Sequence, residues 1–362
     1  MFIPANPTIS FLNKKYSVLD IAGSFPFKVS VVYPSARTAL QSVLKKKGAG
    51  KTIWLPAFMC KSLLKPIQSC GLNINYYDID EQFMPKLSHI KISKGDYVLV
   101  VHFFGILINL EKIKKLCLEN EFILIEDCAH ILPDTYAAYF AGKFGDISIF
   151  SFRKILPVLY GGIITRGYEL NKKDSFCIPI IRTSIKKKLL TIIERVAFIF
   201  GINILLLKKK LRSIFGNTDT STLSGEQNSV LYAKKDYTHN NNDSYLINVI
   251  NKRKENYKQL SNQLMNFDKI SMIFPNLPDG SCPQFFPILV KNKQVIFDEL
   301  IKFGIEAIIW PGEEKLEILL DDYPGTALFD KNLLLLPIHH DLTKVHIRYI
   351  AENLIKVVLN SN

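Results

Sequence analysis

The sequence has few cysteines, and none of the six forms a C-x-x-C pair or shows the spacing of a zinc site. They are scattered through 362 residues, and several lie inside apolar runs. This pattern argues against a disulfide framework or a structural zinc site. It favours buried free thiols in a reducing compartment.

Long apolar runs are also missing. The first residues, MFIPANPTISFLNKK, contain no apolar stretch long enough for a signal peptide. An interrupted apolar run at 196–207 has about twelve residues, whereas a membrane-spanning helix needs about 20. We therefore expect a cytoplasmic protein.

Acidic residues are scarce in one window, residues 182–212. This window holds nine lysines and arginines and one acid, Glu194, so it carries +8 (nine minus one) of the chain's net charge of +13. Because the excess positive charge is local, the sequence does not indicate a protein built to bind nucleic acid.

Two interpretations of this basic window remain open. Its apolar part, 196–207, has a lysine triplet upstream and another downstream, and is suited to a peripheral contact with an anionic membrane surface. The alternative is a helical hairpin that packs on the protein and leaves its lysines in water.

The rest of the chain shows strands and helices in regular alternation. Apolar strands such as 97–103 are nearly continuous, which is typical of parallel strands buried on both faces. We predict an α/β fold whose three-layer αβα large domain, with a mainly parallel mixed sheet, occupies residues 1–242. The basic window is an insertion in it at about 182–215, and a smaller α+β domain is expected over 243–362.

Residues 122–162 concentrate the polar side chains that follow these strands. One strand, 122–125, ends in Glu126 and Asp127, and the next, 147–150, is followed by Ser151 and Lys154. Ligands of α/β proteins bind at the carboxyl ends of the strands. An acid, a hydroxyl and an amine are thus expected to meet at one edge of the sheet.

A second polar turn, Pro34-Ser35-Ala36-Arg37, joins a strand at 28–33 to a helix at 38–47. Ser35 or Thr38 is suited to cap this helix. A helix N-terminus offers free backbone N–H groups and the positive end of the helix dipole, which suits a phosphate. An ordinary cap is the alternative, since caps are far more common than phosphate sites.

These residues form the set that a pyridoxal 5'-phosphate (PLP) site requires. A buried lysine such as Lys154 can form an imine with an aldehyde, and a carboxylate such as Asp127 can keep a pyridine nitrogen protonated. His130 follows three residues after Asp127 and could reach the ring hydroxyl. Each residue also has a plainer interpretation, as a surface lysine, a strand-end cap and a core histidine.

The order and spacing of the motifs resemble the DegT/DnrJ/EryC1/StrS family of sugar aminotransferases, which are PLP enzymes of fold type I. The resemblance extends over nearly the whole chain. Its segments are PSARTAL at 34–40, WLPAFMC at 54–60, YYDID at 76–80, VHFFG at 101–105, EDCAH at 126–130, GDISIFSFRK at 145–154, GG at 161–162, KRKENY at 252–257 and LPIHHDLT at 336–343.

The resemblance implies a reaction and the residues that perform it. Lys154 is expected to form the imine and to shuttle protons. Asp127 is expected to pair with the pyridine nitrogen, and His130 to lie against the hydroxyl side of the ring. The reaction implied is transfer of an amine, usually from glutamate, to a keto group on a nucleotide-linked sugar for polysaccharide or glycoconjugate synthesis.

The resemblance also implies how the cofactor phosphate and a partner subunit are arranged. Ser151 and the backbone of Arg37 and Thr38, with Ala36 in the same turn, are expected to hold the phosphate. Family members are typically homodimers whose active sites draw groups from both subunits, so a homodimer is expected here.

Some positions depart from the family pattern. Cys60 stands where an aromatic side chain usually covers the cofactor ring, so Phe58 or Phe104 is needed as a substitute. Tyr160 replaces a common glutamate, and the segment 162–244 has no clear match to an asparagine–arginine motif that reaches the partner subunit. Two other functions therefore remain open: an aminotransferase for a lipid-linked or membrane-associated substrate, and a non-catalytic binding or regulatory relative.

Overall fold

The computed structural model describes residues 1–7, 32–88, 90–134, 137–158, 161–165, 177–179, 185–208, 230–232 and 243–361. Strands and helices alternate through the first half of the chain, as predicted. The elements there are β1 (Val32–Tyr33), α1 (Ala36–Lys47), β2 (Thr52–Pro56), α2 (Leu64–Gln68), β3 (Asn73–Tyr77), β4 (Tyr97–Val101), α3 (Glu111–Asn120), β5 (Ile123–Cys128), β6 (Ile147–Ser151), α4 (Phe152–Ile155) and β7 (Gly162–Thr165).

These strands form one seven-stranded sheet in the order β1-β7-β6-β5-β4-β2-β3. The five strands from β6 to β3 run parallel, whereas β7 is antiparallel to β6 and β1 is antiparallel to β7. All five residues of β4 and of β6 are buried. Because successive residues of a strand point to opposite faces, both faces of this sheet are covered. The predicted αβα fold with a mainly parallel, mixed sheet is confirmed.

The second half of the chain combines helices with antiparallel strands, and the predicted α+β region, 243–362, lies within it. Its elements are β8 (Cys177–Pro179), α5 (Ile185–Phe200), β9 (Val230–Tyr232), α6 (Asp243–Leu264), β10 (Ser271–Met272), β11 (Phe285–Leu289), α7 (Lys293–Lys302), α8 (Pro324–Asn332), β12 (Leu333–Pro337) and α9 (Lys344–Asn360). Strands β10, β11 and β12 form an antiparallel sheet, and β8 pairs with β9.

Residues 304–311 are apolar enough to suggest a strand, but they do not form one. Among the described residues, Ile305 forms an isolated bridge to Ile3, and Ile308 forms one to Leu335 in β12. The apolar pattern of this segment reflects burial between two different partners, so it does not add a strand to one sheet.

The small sheet joins the two main cores because its side chains alternate between them. One set of residues from β11 and β12 packs into the core of the C-terminal helices, and the other set packs into the core of the large sheet. The first set is Phe286, Ile288, Leu334 and Leu336, and the second is Phe285, Leu289, Leu333 and Leu335.

Two segments from the first predicted domain pack on the second. The Ile3 N–H donates to the Gly304 carbonyl at 2.7 Å, and Phe198 of α5 packs beside the rings of His339 and His346. The domain limits 1–242 and 243–362 remain a proposal, and the junction at 233–242 lies outside the described residues. None of the helices in the described ranges combines the length and the apolar character that crossing a bilayer requires.

Candidate active site

The carboxyl ends of β5 and β6 place Asp127 and Lys154 in one site. Strand β5 continues past its predicted end at 125 through Glu126 and Asp127 to Cys128. Asp127 is opposite Ile149 of β6, and Lys154 follows β6 within the short helix α4. The Asp127 carboxylate is close enough to raise the pKa of Lys154. The two residues that the sequence pointed to are therefore neighbours in the fold.

His130 contacts the Lys154 amine directly. The Lys154 Nζ lies 2.7 Å from His130 Nε2, and the backbone N–H of Phe104 donates to His130 Nδ1 at 3.2 Å. Since Nδ1 accepts that hydrogen bond, a neutral His130 ring carries its proton on Nε2 and donates it to Lys154. Burial, and secondarily the charge of Lys154, lower the pKa of His130 well below its ordinary value, which keeps the ring neutral. The acceptor in this contact is consequently the lone pair of an unprotonated amine.

Burial makes that unprotonated state easier to reach. Burial lowers the pKa of Lys154 from its ordinary 10.5 to about 8, and the positive charges of Arg153 and Arg37 act in the same direction. Asp127 and Cys60 oppose this shift. An amine with a pKa of about 8 is partly unprotonated near neutral pH, so it can act as a nucleophile or a base.

Asp127 is held as a buried carboxylate that needs a positive partner. Its Oδ1 accepts a hydrogen bond from the Ala129 N–H at 2.8 Å, which is the one hydrogen bond to this carboxylate among the described residues. Burial raises the pKa of Asp127, and the Lys154 charge partly offsets that effect. A cationic group bound beside Asp127 would stabilise the ionised carboxylate further.

The neighbouring acid, Glu126, has a structural role. Three backbone N–H groups and the His102 ring donate hydrogen bonds to its carboxylate. Burial raises the pKa of Glu126, but these interactions lower it by more, so the pKa lies below its ordinary value. His102 Nδ1 accepts the Ile108 N–H at 3.3 Å, so its Nε2 carries the proton donated to Glu126 at 2.9 Å. The backbone donors are Gly142, Phe144 and Gly145. The side chains of His102, Glu126 and Cys128 lie close enough together to surround a metal ion. The Glu126 carboxylate, however, is already saturated with hydrogen bonds.

The turn before α1 is a helix N-terminus whose first N–H groups have no acceptor among the described residues. Ser35 Oγ caps α1 by accepting the Thr38 N–H at 3.2 Å, and it also bonds the Thr38 hydroxyl at 3.0 Å. The Thr38 N–H is therefore used within the turn. The N–H groups of Ala36 and Arg37 belong to the first helical turn, which has no intrahelical acceptors. They are the donors that an anion at this turn would meet.

Gly162 brings this turn next to Ser151. In the sheet Ser151 is opposite Gly162, and Gly162 is opposite Tyr33 of β1. A Cβ atom at Gly162 would lie 2.2 Å from the Ser35 carbonyl carbon and 2.4 Å from the Ala36 nitrogen, so only glycine permits this approach. The Ser151 hydroxyl does not cap α4. A hydroxyl and a helix N-terminus thus converge on one spot beside the sheet.

Replacing Gly162 by alanine is expected to weaken PLP binding by more than about tenfold and to destabilise the fold by about 1–3 kcal/mol, because the backbone of the turn must move. Gly201→Ala is the matched control: Gly201 has φ +67° and no neighbour within 4 Å, so alanine there adds only backbone strain. Titration of each variant with PLP, followed by absorbance, distinguishes the two effects. Equal PLP affinity in both variants would contradict the role given to Gly162.

Cys60 lies on the side of the site that contacts the C-terminal region, at Glu314 and Lys315. Its thiol is 3.0 Å from the Ser62 hydroxyl and 3.9 Å from Glu314 Oε2. Phe58 is buried among the rings of Phe103, Trp310 and Phe329, which removes it as a substitute for the missing aromatic. The ring of Phe104 stacks on His130 with centroids 5.9 Å apart, so Phe104 is the better placed of the two.

Three supporting residues were not predicted. Arg253 is buried, and its guanidinium donates to the carbonyl of Ile155 at 2.8 Å and to those of Pro283 and Gln284. The Gln284 side-chain amide donates to the Lys154 carbonyl at 3.0 Å, so both residues fix the backbone that carries the amine. Trp310 presents its edge to Phe104 and His130. The KRKENY motif contains Arg253, but its contacts are not readable from sequence.

Residues 26–178 match the model of the DegT/DnrJ/EryC1/StrS aminotransferase family. Among curated proteins, the GDP-perosamine synthase of Vibrio cholerae is 27% identical over 127 residues, which are 33% of this chain and 35% of that protein. The chain therefore spans about a third of the length of this relative. The family resemblance inferred from the motifs is confirmed.

The fold is shared over the whole chain. PseC of Helicobacter pylori, an aminotransferase involved in the biosynthesis of pseudoaminic acid, has a TM-score of 0.65 at 17% identity and 99% coverage of both chains. The PLP form of Spr1654 from Streptococcus pneumoniae has a TM-score of 0.65 at 18% identity and 100% coverage of both. At these identities the comparison shows a shared fold alone.

Proposed function

We propose that this chain, whose residues 26–178 match the DegT/DnrJ/EryC1/StrS aminotransferase family, is a PLP-dependent aminotransferase. It moves an amino group from an amino acid, L-glutamate, to a nucleotide-linked keto-sugar for polysaccharide or glycoconjugate synthesis. The observation that carries the proposal is the 2.7 Å contact between the Lys154 amine and the Nε2 of a neutral His130, beside the buried Asp127. The V. cholerae relative, whose name specifies a GDP-linked product, supports the substrate class.

The donors and charges of the site fit PLP. The N–H groups of Ala36 and Arg37 and the Ser151 hydroxyl are suited to its phosphate, and Asp127 to its protonated pyridine nitrogen. When bound, PLP supplies an aldehyde that condenses with amines and a ring that accepts electrons from the adjacent carbon. The fit is chemical, because the turn before α1 offers donors for an anion and the buried Asp127 accepts only one hydrogen bond among the described residues.

The chain's own residues then account for the proton transfers. Lys154 would hold PLP at its aldehyde, and its amine would serve as the base for the proton on the donor's α-carbon. A neutral His130 donates its Nε2–H to the unprotonated form of the Lys154 amine. Gln284 and Arg253 hold the backbone of the lysine segment, which restricts where Nζ can travel.

The rate of covalent PLP attachment is expected to rise with pH and to level off above a midpoint of about 8, because only the unprotonated Lys154 attacks the aldehyde. The value follows from burial, which lowers the lysine pKa. Stopped-flow absorbance across the pH range measures the midpoint. A midpoint near 10.5, the ordinary lysine value, would contradict the buried, shifted amine.

The variant Asp127→Asn tests the direction in which the Asp127 charge moves this midpoint. Because the Asp127 charge raises the Lys154 pKa, its removal is expected to move the midpoint to lower pH even though PLP binding weakens. A shift to higher pH would mean that Asp127 does not act on the amine.

The proposed function is tested by loading the protein with PLP and adding L-glutamate. The absorbance band of the attached cofactor is expected to be bleached by glutamate and restored by a nucleotide-linked keto-sugar. A band that glutamate does not change would overturn glutamate as the amino donor. Failure of every keto acceptor to restore it would overturn the amino transfer itself.

The homodimer expected from the family is part of the same proposal. Cys60, Phe104 and Trp310 border the site, and groups from a second subunit would complete the substrate side. Light scattering of the purified protein measures the subunit number, and a monomer that transfers amines at full rate would contradict the shared site.

A further inference from the structure

Helix α5 has a continuous apolar face that is exposed. Six of its side chains, spaced three and four residues apart, lie on one side of the helix. Phe200 is 73% exposed and Ile199 is 64% exposed, which is unusual for side chains of this size. The face consists of Leu189, Ile192, Ile193, Val196, Ile199 and Phe200, and Ile202, Leu206 and Leu207 extend it; we call these nine residues the α5 apolar face.

The opposite side of the segment is anchored to the protein. Ala197 and Leu205 are buried in a cluster with Phe2 and Ile301. The Asn203 amide donates to the Ile301 carbonyl at 3.3 Å and to the Lys302 carbonyl at 3.1 Å. Because these contacts fix the orientation of the segment, the α5 apolar face cannot turn inward to become part of the core.

By sequence, the segment that carries this face is strongly basic. Lys186, Lys187 and Lys188 occupy the start of α5, and by sequence the window 182–212 carries +8. Its one acid, Glu194, is paired with Lys208 at 2.7 Å, and Lys208 also pairs with Glu306. Glu194 and Glu306 thus share one ammonium group, so Lys208 adds no net positive charge to this surface. Residues 209–212, with three further basic side chains, lie outside the described residues.

We propose that the α5 apolar face docks on an anionic lipid surface, with the helix lying in the plane of the membrane. A helix of 16 residues is about 24 Å long, and side chains on one face of such a helix reach about 5–10 Å into the headgroup boundary. The lysines at its start meet the anionic headgroups. This contact would hold the protein at a membrane without a spanning helix.

Charge favours a lipid surface over a second copy of this chain. Pairing two α5 apolar faces would bring two windows of +8 together, which is a repulsive arrangement. Anionic headgroups neutralise the same charges and simultaneously accept the apolar side chains. The two occupants also respond differently to salt, because screening weakens lipid attraction and relieves repulsion between copies.

The test is sedimentation of the full chain with vesicles of phosphatidylcholine and phosphatidylglycerol. Wild type is expected to sediment with these vesicles at low salt and to be released at about 1 M salt, where the Debye length is about 3 Å. It is not expected to bind vesicles of pure phosphatidylcholine. Ile192→Glu with Ile199→Glu is expected to weaken binding by about tenfold per replaced side chain. The matched control is Leu118→Glu, an equally exposed apolar residue on helix α3, which is expected to bind as wild type does.

Three results would overturn the proposal. One is wild-type protein that stays in the supernatant with anionic vesicles at low salt. Another is equal loss of binding in Leu118→Glu. The third is that neither wild type nor the double variant binds vesicles and that the double variant has a lower mass by light scattering than wild type. This result would make the α5 apolar face an interface between copies of the chain. Circular dichroism of both variants checks that they are folded.

Discussion

Replacing Lys154 by alanine is expected to abolish covalent attachment of PLP and to lower amino transfer by about 10⁴-fold, the upper end of what a positioned proton-transfer group contributes. In the proposed reaction this amine both attaches to the aldehyde of PLP and moves a proton. Its pKa of about 8 and its contact with His130 prepare it for both tasks.

The measurement is borohydride reduction of the PLP-loaded protein followed by peptide mass spectrometry. The added mass is expected on the peptide that contains Lys154 in wild type and nowhere in Lys154→Ala. Lys154→Arg keeps a positive charge but cannot attach, so it is expected to be equally inactive. Lys258→Ala, at an exposed lysine of α6, is the control and is expected to behave as wild type. Full activity in Lys154→Ala would exclude the assigned role.

Replacing Glu126 by glutamine is expected to destabilise the protein by about 3–5 kcal/mol, the range for breaking a buried charged network. The carboxylate accepts three backbone N–H groups and the His102 proton, and a glutamine amide would direct its own N–H at one of these donors. Urea unfolding of both proteins at neutral pH measures the difference. Glu119→Gln, at an exposed position of α3, is expected to change stability by less than about 0.5 kcal/mol.

The pH dependence of this difference has a definite sign. The pKa of Glu126 in the folded protein lies below its ordinary 4.5, so its stabilising contribution is fully present above pH 4.5 and is lost as the pH falls through the folded-state pKa. The stability of wild type and Glu126→Gln is therefore expected to converge in acid. A difference that stays constant at low pH would mean that hydrogen bonds to an ionised carboxylate are not its source.

Much of the large sheet is predictable because its strands are buried on both faces. The run 97–103 is apolar at nearly every position, and β4 is indeed buried throughout. The same logic places Asp127 and Lys154 together, because parallel strands end at one edge. What the pattern underestimates is strand length: β5 includes Glu126 and Asp127, since buried polar residues satisfied by hydrogen bonds can continue a strand.

Contacts between distant parts of the chain are not readable in the same way. Arg253 stabilises the lysine segment from about a hundred residues away, and nothing in its local pattern distinguishes it from a surface arginine on a helix. The cap at Ser35 is predictable, but its choice of the Thr38 N–H, which leaves Ala36 and Arg37 as the free donors, requires the geometry of the turn. The exposed face of α5 is also undecidable from sequence, because an apolar stripe on a helix normally faces a core.

The most direct test of the proposed amino transfer uses glutamate labelled with ¹⁵N. The PLP-loaded protein is treated with the labelled donor, separated from it by gel filtration, and mixed with a panel of nucleotide-linked keto-sugars. The account predicts that ¹⁵N appears as an amino group on one of these sugars, and that Lys154→Ala produces none. Label that never leaves the glutamate, or that remains with the protein in the presence of every sugar, would contradict it.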